Sequence, residues 1–383
     1  MQNQIHRPAA AIVCGGTGGH LFPGFAIGEA LLELGCDVTA FITTKEIDQV
    51  AAQSAGGIAT VTLPVLAWKK QGWWKFLRAC RESSALARKT YQEKGIRAVI
   101  AMGAFLSVPA TWAARSCGAA TFIHEANAVP GQANRIVSWW AGEAFVYFPQ
   151  CARRLRHDRI TTVGMPVRPQ FQPQDPAACR VMLGLDPLRP VLLVMGGSQG
   201  ATAVNNLVLE ALPHLRKAVP ELQFIHLAGR KDADRVRDAY ARRSCAAVVR
   251  PFLTEMELAM NAATAAISRA GGSSLAESAA LRLPSLLIPY PHAADNHQHQ
   301  NALAFVESGA ARMLSQAEAT PAAVARELAA LLGPAGEKVK AALAAWHQPG
   351  AAADIAQRLL TAIKERMPEN REAAAGPRPA PGK

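Results

Sequence analysis

The sequence predicts two doubly wound α/β domains, and three features of its 383 residues support this. Short runs rich in valine, isoleucine and alanine alternate with longer amphipathic stretches, a pattern typical of parallel strands connected by helices. Glycine-rich loops follow three of these runs directly. A segment with one glycine and two prolines, residues 163–169, separates an earlier series of strands from a later one and is expected to link the domains.

The predicted strands form two series of five. The first series is residues 9–14, 38–42, 98–101, 120–123 and 144–148. The second series is residues 191–195, 222–227, 246–249, 265–268 and 285–288. Because helical stretches lie between consecutive strands, each series is expected to form one parallel sheet covered by helices.

The domain bounds follow from the link and from the C-terminal composition. The N-terminal domain is predicted to comprise residues 1–164 and the C-terminal domain residues 165–345. Residues 346–371 are predicted to be helical and to pack back on the N-terminal domain. Residues 372–383 are rich in alanine, glycine and proline and are expected to be disordered.

Composition narrows the class of protein. Half of the residues are hydrophobic and 18% are charged, which predicts a folded globular chain with a net charge of +12. That charge implies an anionic partner, either nucleic acid, a phosphorylated substrate or an anionic membrane surface. No apolar stretch reaches the roughly 18 residues of a membrane span, and no signal peptide is evident, so a cytoplasmic protein is expected. The seven cysteines include no CxxC pair.

The three glycine-rich loops are candidate anion-binding sites. They are residues 15–20, 196–201 and 269–274, each between a predicted strand and a helical stretch. Glycine lets the backbone approach a ligand closely, and the N–H groups at a helix start favour a phosphate or a sugar oxygen. Tight strand-to-helix turns are the structural alternative. A complete GxGxxG fingerprint and a P-loop are both missing from the sequence, which disfavours a dehydrogenase or a P-loop enzyme.

Two further segments place polar groups after strands. Glu277 lies one turn into the helix that follows the third loop, where its carboxylate would accept hydrogen bonds from ribose hydroxyls; a helix-start acid is the alternative. Residues 289–301 form a dense polar segment that is expected to contact a ligand. Its three histidines lack a carboxylate cluster, and Asp232 and Asp234 are expected on the exposed start of a helix. No metal site is therefore predicted.

An aromatic and basic segment, residues 68–78, is predicted to contact an anionic membrane surface. Its rings alternate with cations, which suits the boundary between water and anionic lipid. A buried helix with solvated lysines is the alternative. Stacking on single-stranded nucleic acid is disfavoured because no nucleic-acid motif accompanies the segment, so no nucleic-acid partner is predicted. The predicted membrane contacts are Lys69, Lys70, Trp73, Trp74, Lys75, Phe76 and Leu77.

Four motifs, in this order and spacing, resemble the MurG family of glycosyltransferases over nearly the whole chain. They are Gly15-Gly16-Thr17-Gly18-Gly19-His20, His124-Glu125-Ala126-Asn127, Gly196-Gly197-Ser198-Gln199-Gly200-Ala201 and Asp295-Asn296-His297-Gln298. The resemblance implies the GT-B fold, an α/β architecture in which two doubly wound Rossmann-like domains face a cleft. It also implies a hexosyltransferase that needs neither a metal nor a cofactor.

The same resemblance implies the reaction. N-acetylglucosamine would pass, with inversion, from UDP-GlcNAc to the 4-hydroxyl of the N-acetylmuramic acid of lipid I, giving lipid II and UDP in peptidoglycan biosynthesis. The N-terminal domain would bind the acceptor and the membrane, and the C-terminal domain would bind UDP-GlcNAc. The enzyme would lie peripherally on the cytoplasmic face of the cell membrane, with cell-wall synthesis or division proteins as further partners.

The resemblance also implies roles for individual residues. His20 would be the general base, since a group with a pKa near 6.5 suits proton transfer near neutrality; a histidine that only orders the loop is the alternative. Ala126 stands where the family commonly has glutamine, and Phe105 where it commonly has tyrosine. The implied substrate-binding residues are Thr17, Gly18, Gly19, Asn127, Arg168, Ser198, Leu253, Gly272, Ser273, Ser274, Leu275, Ala276, Glu277 and Gln298.

Two other functions stay open on the residues alone. A GT-B transferase acting on another lipid acceptor would share the donor loops, and an acceptor assay would separate it. A catalytically silent sugar-nucleotide sensor would keep the donor loops and lack turnover. The changes at Ala126 and Phe105 allow such a sensor, whereas the presence of His20 and Glu277 argues against it.

Overall fold

The chain forms two units in the computed structural model, which describes residues 7–16, 18–45, 48–49, 56–64, 72–197 and 200–367. Unit 1 comprises Met1–Ala126, Pro130–Arg168 and Gly350–Lys383, and unit 2 comprises Asn127–Val129 and Pro169–Pro349. The main division therefore falls between Arg168 and Pro169, at the end of the proposed link, rather than after residue 164. The segment 372–383, expected to be disordered, lies outside the described residues.

A parallel sheet of seven strands, counted over the described residues, forms the centre of unit 1. Its order is β3-β2-β1-β4-β5-β6-β7, so the direction in which strands are added reverses between β1 and β4. The strands are β1 Ala9–Val13, β2 Asp37–Thr43, β3 Ala59–Leu63, β4 Ala98–Ala101, β5 Ala120–Glu125, β6 Glu143–Val146 and β7 Ile160–Thr162. The helices described before the link are α1 Gly18–Glu33, α2 Trp73–Glu93, α3 Ser107–Ser116 and α4 Gln132–Val137.

The first strand shows why the sequence has continuous apolar runs instead of an alternating pattern. Ile12 packs in one buried cluster with Leu21 of α1, whereas Val13 packs in a second cluster with Tyr91 of α2. The two clusters lie on opposite faces of the sheet because successive side chains of a strand alternate. A parallel strand covered on both faces must be apolar at every position.

Unit 2 repeats this architecture with six parallel strands in its described part. Their order is β10-β9-β8-β11-β12-β13, and the reversal falls between β8 and β11. The strands are β8 Val191–Met195, β9 Gln223–Leu227, β10 Ala247–Arg250, β11 Ala265–Ser268, β12 Ser285–Leu287 and β13 Arg312–Met313. The helices are α5 Pro176–Met182, α6 Thr202–Ala218, α7 Ala233–Ala241, α8 Met256–Ala262, α9 Gly272–Ala280, α10 His297–Glu307, α11 Pro321–Leu331 and α12 Pro334–Leu343.

A last helix, α13 Ala351–Lys364, belongs to unit 1 and packs against α1. Ile355, Leu359 and Ile363 recur at intervals of four along it and are fully buried in the cluster that contains Ile12. This spacing places all three side chains on one face of the helix. The C-terminal helix therefore completes the core of the unit that begins the chain.

Three strands were not predicted, namely β3, β7 and β13, and each lies at the edge of its sheet. Only Leu63 of the five residues of β3 is buried, so the strand lacks the apolar run that marks its neighbours. β7 and β13 have three and two residues. Among the described helices, none combines the length and the apolar character needed to cross a membrane.

We predict that Leu359→Ala lowers the free energy of unfolding of unit 1 by about 2 to 5 kcal/mol, because it removes a fully buried side chain and leaves a cavity. Urea unfolding followed by tryptophan fluorescence measures this, since six of the seven tryptophans precede Arg168. Gln357→Ala, on the exposed face of α13, is the matched control and should change stability little. Equal effects of both substitutions would contradict the packing of α13.

Candidate functional site

In both units, loops that contain glycine follow the two strands between which the sheet order reverses. In unit 1, residues 15–19 follow β1 and residues 102–106 follow β4. In unit 2, residues 196–201 follow β8 and residues 269–271 follow β11. Open α/β sheets usually bind ligands outside the carboxyl ends of the strands at such points. Each unit therefore has one candidate site, lined by backbone that can approach a ligand closely.

His20 lies in the first turn of α1, half-buried, with its imidazole over Gly103. A Cβ atom at Gly103 would lie 2.7 Å from His20 Nε2, and Gly103 has φ +123°. Both observations require glycine at this position. The imidazole predicted to act as a base thus rests on the loop that follows β4. Phe105, in the same loop, packs edge-on against Phe76 of α2, with 6.3 Å between the ring centroids.

His124 and Glu125 end β5, the strand next to β4. His124 is fully buried, and its burial, with a smaller contribution from nearby His20, lowers its pKa to about 3. Neither ring nitrogen has a hydrogen-bond partner in the described part of the chain. Glu125 accepts hydrogen bonds from the backbone N–H of Gly131 and from Asn134 Nδ2, both at 2.9 Å. Glu125 therefore orders the loop after β5, and His124 is a neutral group behind His20.

Asn127 belongs to unit 2 and is held there by Asn301 of α10. Asn301 Nδ2 donates to Asn127 Oδ1 and to the Ala270 carbonyl, both at 3.0 Å, and its Oδ1 accepts from the Ala128 N–H at 2.8 Å. Asn301 is fully buried. The sequence places it at the end of the polar segment 289–301 but does not single it out, because its partners lie about 30 and 170 residues away.

Arg168 ends the second segment of unit 1 and lies against α1. Its guanidinium stacks on the Phe22 ring, 4.3 Å from the centroid. Burial raises the pKa of Glu29, on the same helix, and the charge of Arg168 partly opposes that rise. The structure therefore brings this predicted substrate-binding residue to the same helix that carries Gly18, Gly19 and His20.

The loop after β8 is supported by a buried polar network. Asn205 of α6 donates to the Ala228 carbonyl and to Asp232 Oδ2, both at 2.9 Å, and its Oδ1 lies 3.0 Å from His226 Nε2. His226 Nδ1 lies 3.0 Å from the Tyr240 hydroxyl. Burial lowers the pKa of His226 to about 3, so this imidazole is neutral at physiological pH. The network joins the start of α6 to the end of β9.

The expectation that Asp232 lies on an exposed helix start is wrong. Asp232 precedes α7 as expected, but its residue is only 5% exposed because it pairs with Asn205 and with Arg235. Asp234 is exposed and pairs with Arg237. Within the described ranges, no group of three or more histidine, cysteine, aspartate or glutamate side chains could hold a metal ion.

The loop after β11 leads into α9, whose first residue is Gly272. The N-cap residue, Gly271, has no side chain that could cap this helix start, and the first N–H groups of a helix have no acceptor within the helix itself. Ser273, Ser274 and Glu277 are partly exposed on one face, whereas Leu275 and Ala276 are each 2% exposed. The side chains of Leu275 and Ala276 are therefore not available to a ligand.

The remaining predicted residues of unit 2 lie in two other loops. Gln298 Oε1 accepts a hydrogen bond from the Tyr290 N–H at 2.9 Å and so orders the loop that follows β12, next to β11. Leu253 follows β10, which β9 separates from β8. Leu253 is thus the predicted residue farthest along the sheet from the reversal. Thr17, Ser198, Lys69 and Lys70 lie outside the described residues.

A groove of about 1090 Å³ runs along α2 and α3 in unit 1. Trp74 and Trp112, which line it, are 81% and 56% exposed. Arg78, Arg81, Arg88 and Lys89 line the same groove, opposed by Glu82. We call this surface the aromatic groove. Of the predicted membrane contacts, Trp73 and Lys75 are exposed, whereas Phe76 and Leu77 are partly buried.

Comparison with known families gives a match in each unit. Residues 10–146 match the family described as "Glycosyltransferase family 28 N-terminal domain". Residues 191–359 match the family described as "Glycosyltransferase family 28 C-terminal domain". A relative from Sorangium cellulosum is 37% identical over 359 residues, which cover 91% of this chain and 87% of the relative. That relative is named "UDP-N-acetylglucosamine--N-acetylmuramyl-(pentapeptide) pyrophosphoryl-undecaprenol N-acetylglucosamine transferase".

Solved structures share the fold. The crystal structure of Acinetobacter baumannii MurG has a TM-score of 0.73 and 24% identity, and covers 93% of this chain and 99% of that one. A UDP-N-acetylglucosamine 2-epimerase has a TM-score of 0.66 and 12% identity, with coverage of 94% and 98%. The prediction of two Rossmann-like domains with parallel sheets is confirmed.

We predict that His124 and His226 stay neutral at pH 5, because burial lowers both pKa values to about 3. The unfolded chain binds a proton at each histidine below about pH 6.5, so the folded state loses stability as the pH falls. Each histidine should contribute a loss of about 2 kcal/mol between pH 7 and pH 5. Imidazole NMR titration and urea unfolding at both pH values measure this. Titration of either histidine near pH 6.5 would contradict the prediction.

Proposed function

Because the chain belongs to glycosyltransferase family 28, we propose that it transfers N-acetylglucosamine from UDP-GlcNAc to lipid I, giving lipid II and UDP in peptidoglycan biosynthesis. The observation that carries this proposal is the 37% identity, over 91% of the chain, to a relative named for that transfer. The chain is a glycosyltransferase of the hexosyl-transferring type. The placement of glycine loops at the strand reversal of both sheets supports a sugar-nucleotide substrate.

We assign the nucleotide to unit 2. We expect the diphosphate at the start of α9, beside Gly272, Ser273 and Ser274, because the N–H groups and the dipole of a helix N-terminus favour an anion. We assign Glu277, one turn further on the partly exposed face, as the acceptor of hydrogen bonds from the ribose hydroxyls. These donors stabilise the negative charge that grows on UDP as it leaves, and they need no metal ion to do so.

His20 is the proposed general base. Its nitrogen takes the proton of the acceptor 4-hydroxyl while that oxygen bonds to the anomeric carbon of the donor. The bond from that carbon to the diphosphate breaks, and its electron pair leaves with UDP, so the configuration inverts. The neutral state of His124 supports this role. A positively charged neighbour would oppose proton uptake by His20, and a neutral one does not.

The aromatic groove supports a peripheral position on the cytoplasmic face of the cell membrane. A lipid-linked acceptor is confined to the bilayer, so the enzyme must work at its surface. Trp74 and Trp112 expose large apolar rings beside Arg78, Arg81 and Arg88. Tryptophan prefers the boundary of the bilayer, and arginine is attracted to anionic headgroups.

The enzymatic proposal is tested by transfer of labelled N-acetylglucosamine to detergent-solubilised lipid I in EDTA. We expect turnover by the native chain, and a kcat about 100-fold lower or more for His20→Ala, because the base acts in the transition state. His214→Ala is the control, since His214 is exposed on α6. Undiminished transfer by His20→Ala would remove His20 as the base. Absence of transfer by a native chain that binds UDP-GlcNAc would overturn the proposed function.

The membrane proposal is tested by co-sedimentation with phosphatidylglycerol vesicles. We expect Trp74→Ala combined with Arg81→Ala to weaken binding about tenfold or more, since a large apolar side chain and a charge of the aromatic groove are lost. Leu188→Ala is the control, because Leu188 is 89% exposed but belongs to unit 2. Native binding should also weaken as salt is added. An equal loss in the Leu188 variant would contradict a role for the aromatic groove.

A further inference from the structure

Asp48, a residue that no motif includes, ties the first glycine loop to the end of β2. It is fully buried, and its Oδ2 atom accepts three hydrogen bonds. The donors are the Gly16 N–H at 2.7 Å, the Thr43 N–H at 3.1 Å and the Thr43 hydroxyl at 2.6 Å. Hydrogen bonds to an ionised acceptor are stronger than neutral ones. One carboxylate oxygen therefore joins two segments that lie 32 residues apart in the chain.

Lys45 binds the carbonyl group of the same glycine, whose N–H group binds Asp48. Its Nζ donates to the Gly16 carbonyl at 2.7 Å. Gly16 has φ +110°, and a Cβ atom on the preceding Gly15 would lie 2.7 Å from the Thr43 nitrogen and 3.0 Å from Asp48 Oδ2. Gly15 is thus packed directly on Thr43 and Asp48, with no space for a side chain. We call Asp48 and Lys45 the Gly16 clamp.

The clamp is costly to the fold, which argues that it does more than stabilise. Asp48 Oδ1 is buried and has no hydrogen-bond partner within the described residues. A buried carboxylate with an unsatisfied oxygen opposes folding. Burial and the charge of Asp48 also raise the pKa of the Cys14 thiol beside it. The hydrogen bonds that compensate for this cost are all donated to Asp48 Oδ2 by Thr43 and Gly16.

We propose that the Gly16 clamp is a positioning device for the glycosyl transfer, with Asp48 as its main positioning residue. It acts by fixing the loop from which α1 begins, and so it sets where Gly18, Gly19 and His20 meet the substrates. Because Asp48 already accepts the Gly16 N–H, that group is not available to a substrate. The inference rests on the proposed function, and it adds residues that touch neither substrate.

Three variants and one control test the clamp. Asp48→Ala removes the acceptor, Asp48→Asn keeps an acceptor oxygen of the same shape, and Lys45→Met removes the exposed arm. Gln49→Ala is the matched control, because Gln49 Nε2 donates to the Thr43 carbonyl at 2.8 Å but makes no hydrogen bond to the described residues of the glycine loop. All four are compared with the native chain by amide hydrogen exchange of residues 15–20 and by transfer to lipid I.

We expect Asp48→Ala to speed exchange of the loop and to lower kcat/KM about 100-fold, with a raised KM for UDP-GlcNAc, because a small displacement of reacting groups has large effects. Asp48→Asn should recover kcat/KM to within about tenfold of the native value, since it restores the hydrogen bond without the charge. Gln49→Ala should match the native chain in both measurements. A structural role alone would lower the folded, active fraction and so reduce kcat without changing KM.

The proposed role of the clamp is overturned if Asp48→Ala leaves amide hydrogen exchange of the loop unchanged. It is also overturned if Gln49→Ala has the same effect as Asp48→Ala. If Asp48→Ala does not fold, Lys45→Met tests the proposal instead, because Lys45 is exposed and its substitution should not prevent folding. Lys45→Met must then speed amide hydrogen exchange of the loop, and Gln49→Ala must not. Should the native chain transfer nothing to lipid I, the proposed function fails, and hydrogen exchange still tests the clamp separately.

Discussion

Both units depend on one constraint, the reversal of strand order in a parallel sheet. At β1 and β4 in unit 1, and at β8 and β11 in unit 2, the connections leave the sheet in opposite directions and open a space above the strand ends. Glycine lets the backbone in that space approach a ligand closely. Glycine therefore recurs at these points. The helix that carries the predicted base, His20, and the predicted nucleotide-binding helix, α9, both begin there.

Glycine makes these loops permissive, and buried polar side chains then order them. Asp48 performs this task for the loop after β1, Asn205 for the start of α6, and Asn301 for the segment 127–129. Each satisfies backbone groups that secondary structure leaves unpaired, as buried backbone requires. The loops thus gain a defined shape from side chains that need not touch a ligand.

The sequence predicted the parts of this molecule that depend on local pattern. Strands β4, β8 and β11 were predicted to the residue, because a strand buried on both faces shows a continuous apolar run. β3 was missed because only one of its five residues is buried, and Asp232 was misjudged because its partner, Asn205, lies 27 residues away. Asp48 and Asn301 carry no local signal at all. Their roles depend on contacts that exist only once the sheets have formed.

The claim on which this account depends is direct displacement at the anomeric carbon of a UDP-bound sugar. The fold alone would also suit epimerisation, since a UDP-N-acetylglucosamine 2-epimerase shares it. Proton NMR of the products formed from UDP-GlcNAc and lipid I separates the two. We expect one equivalent of UDP and a new β-linked N-acetylglucosamine, as inversion requires. An α-linked sugar would contradict inversion, and an epimerised UDP-sugar without transfer would contradict the account as a whole.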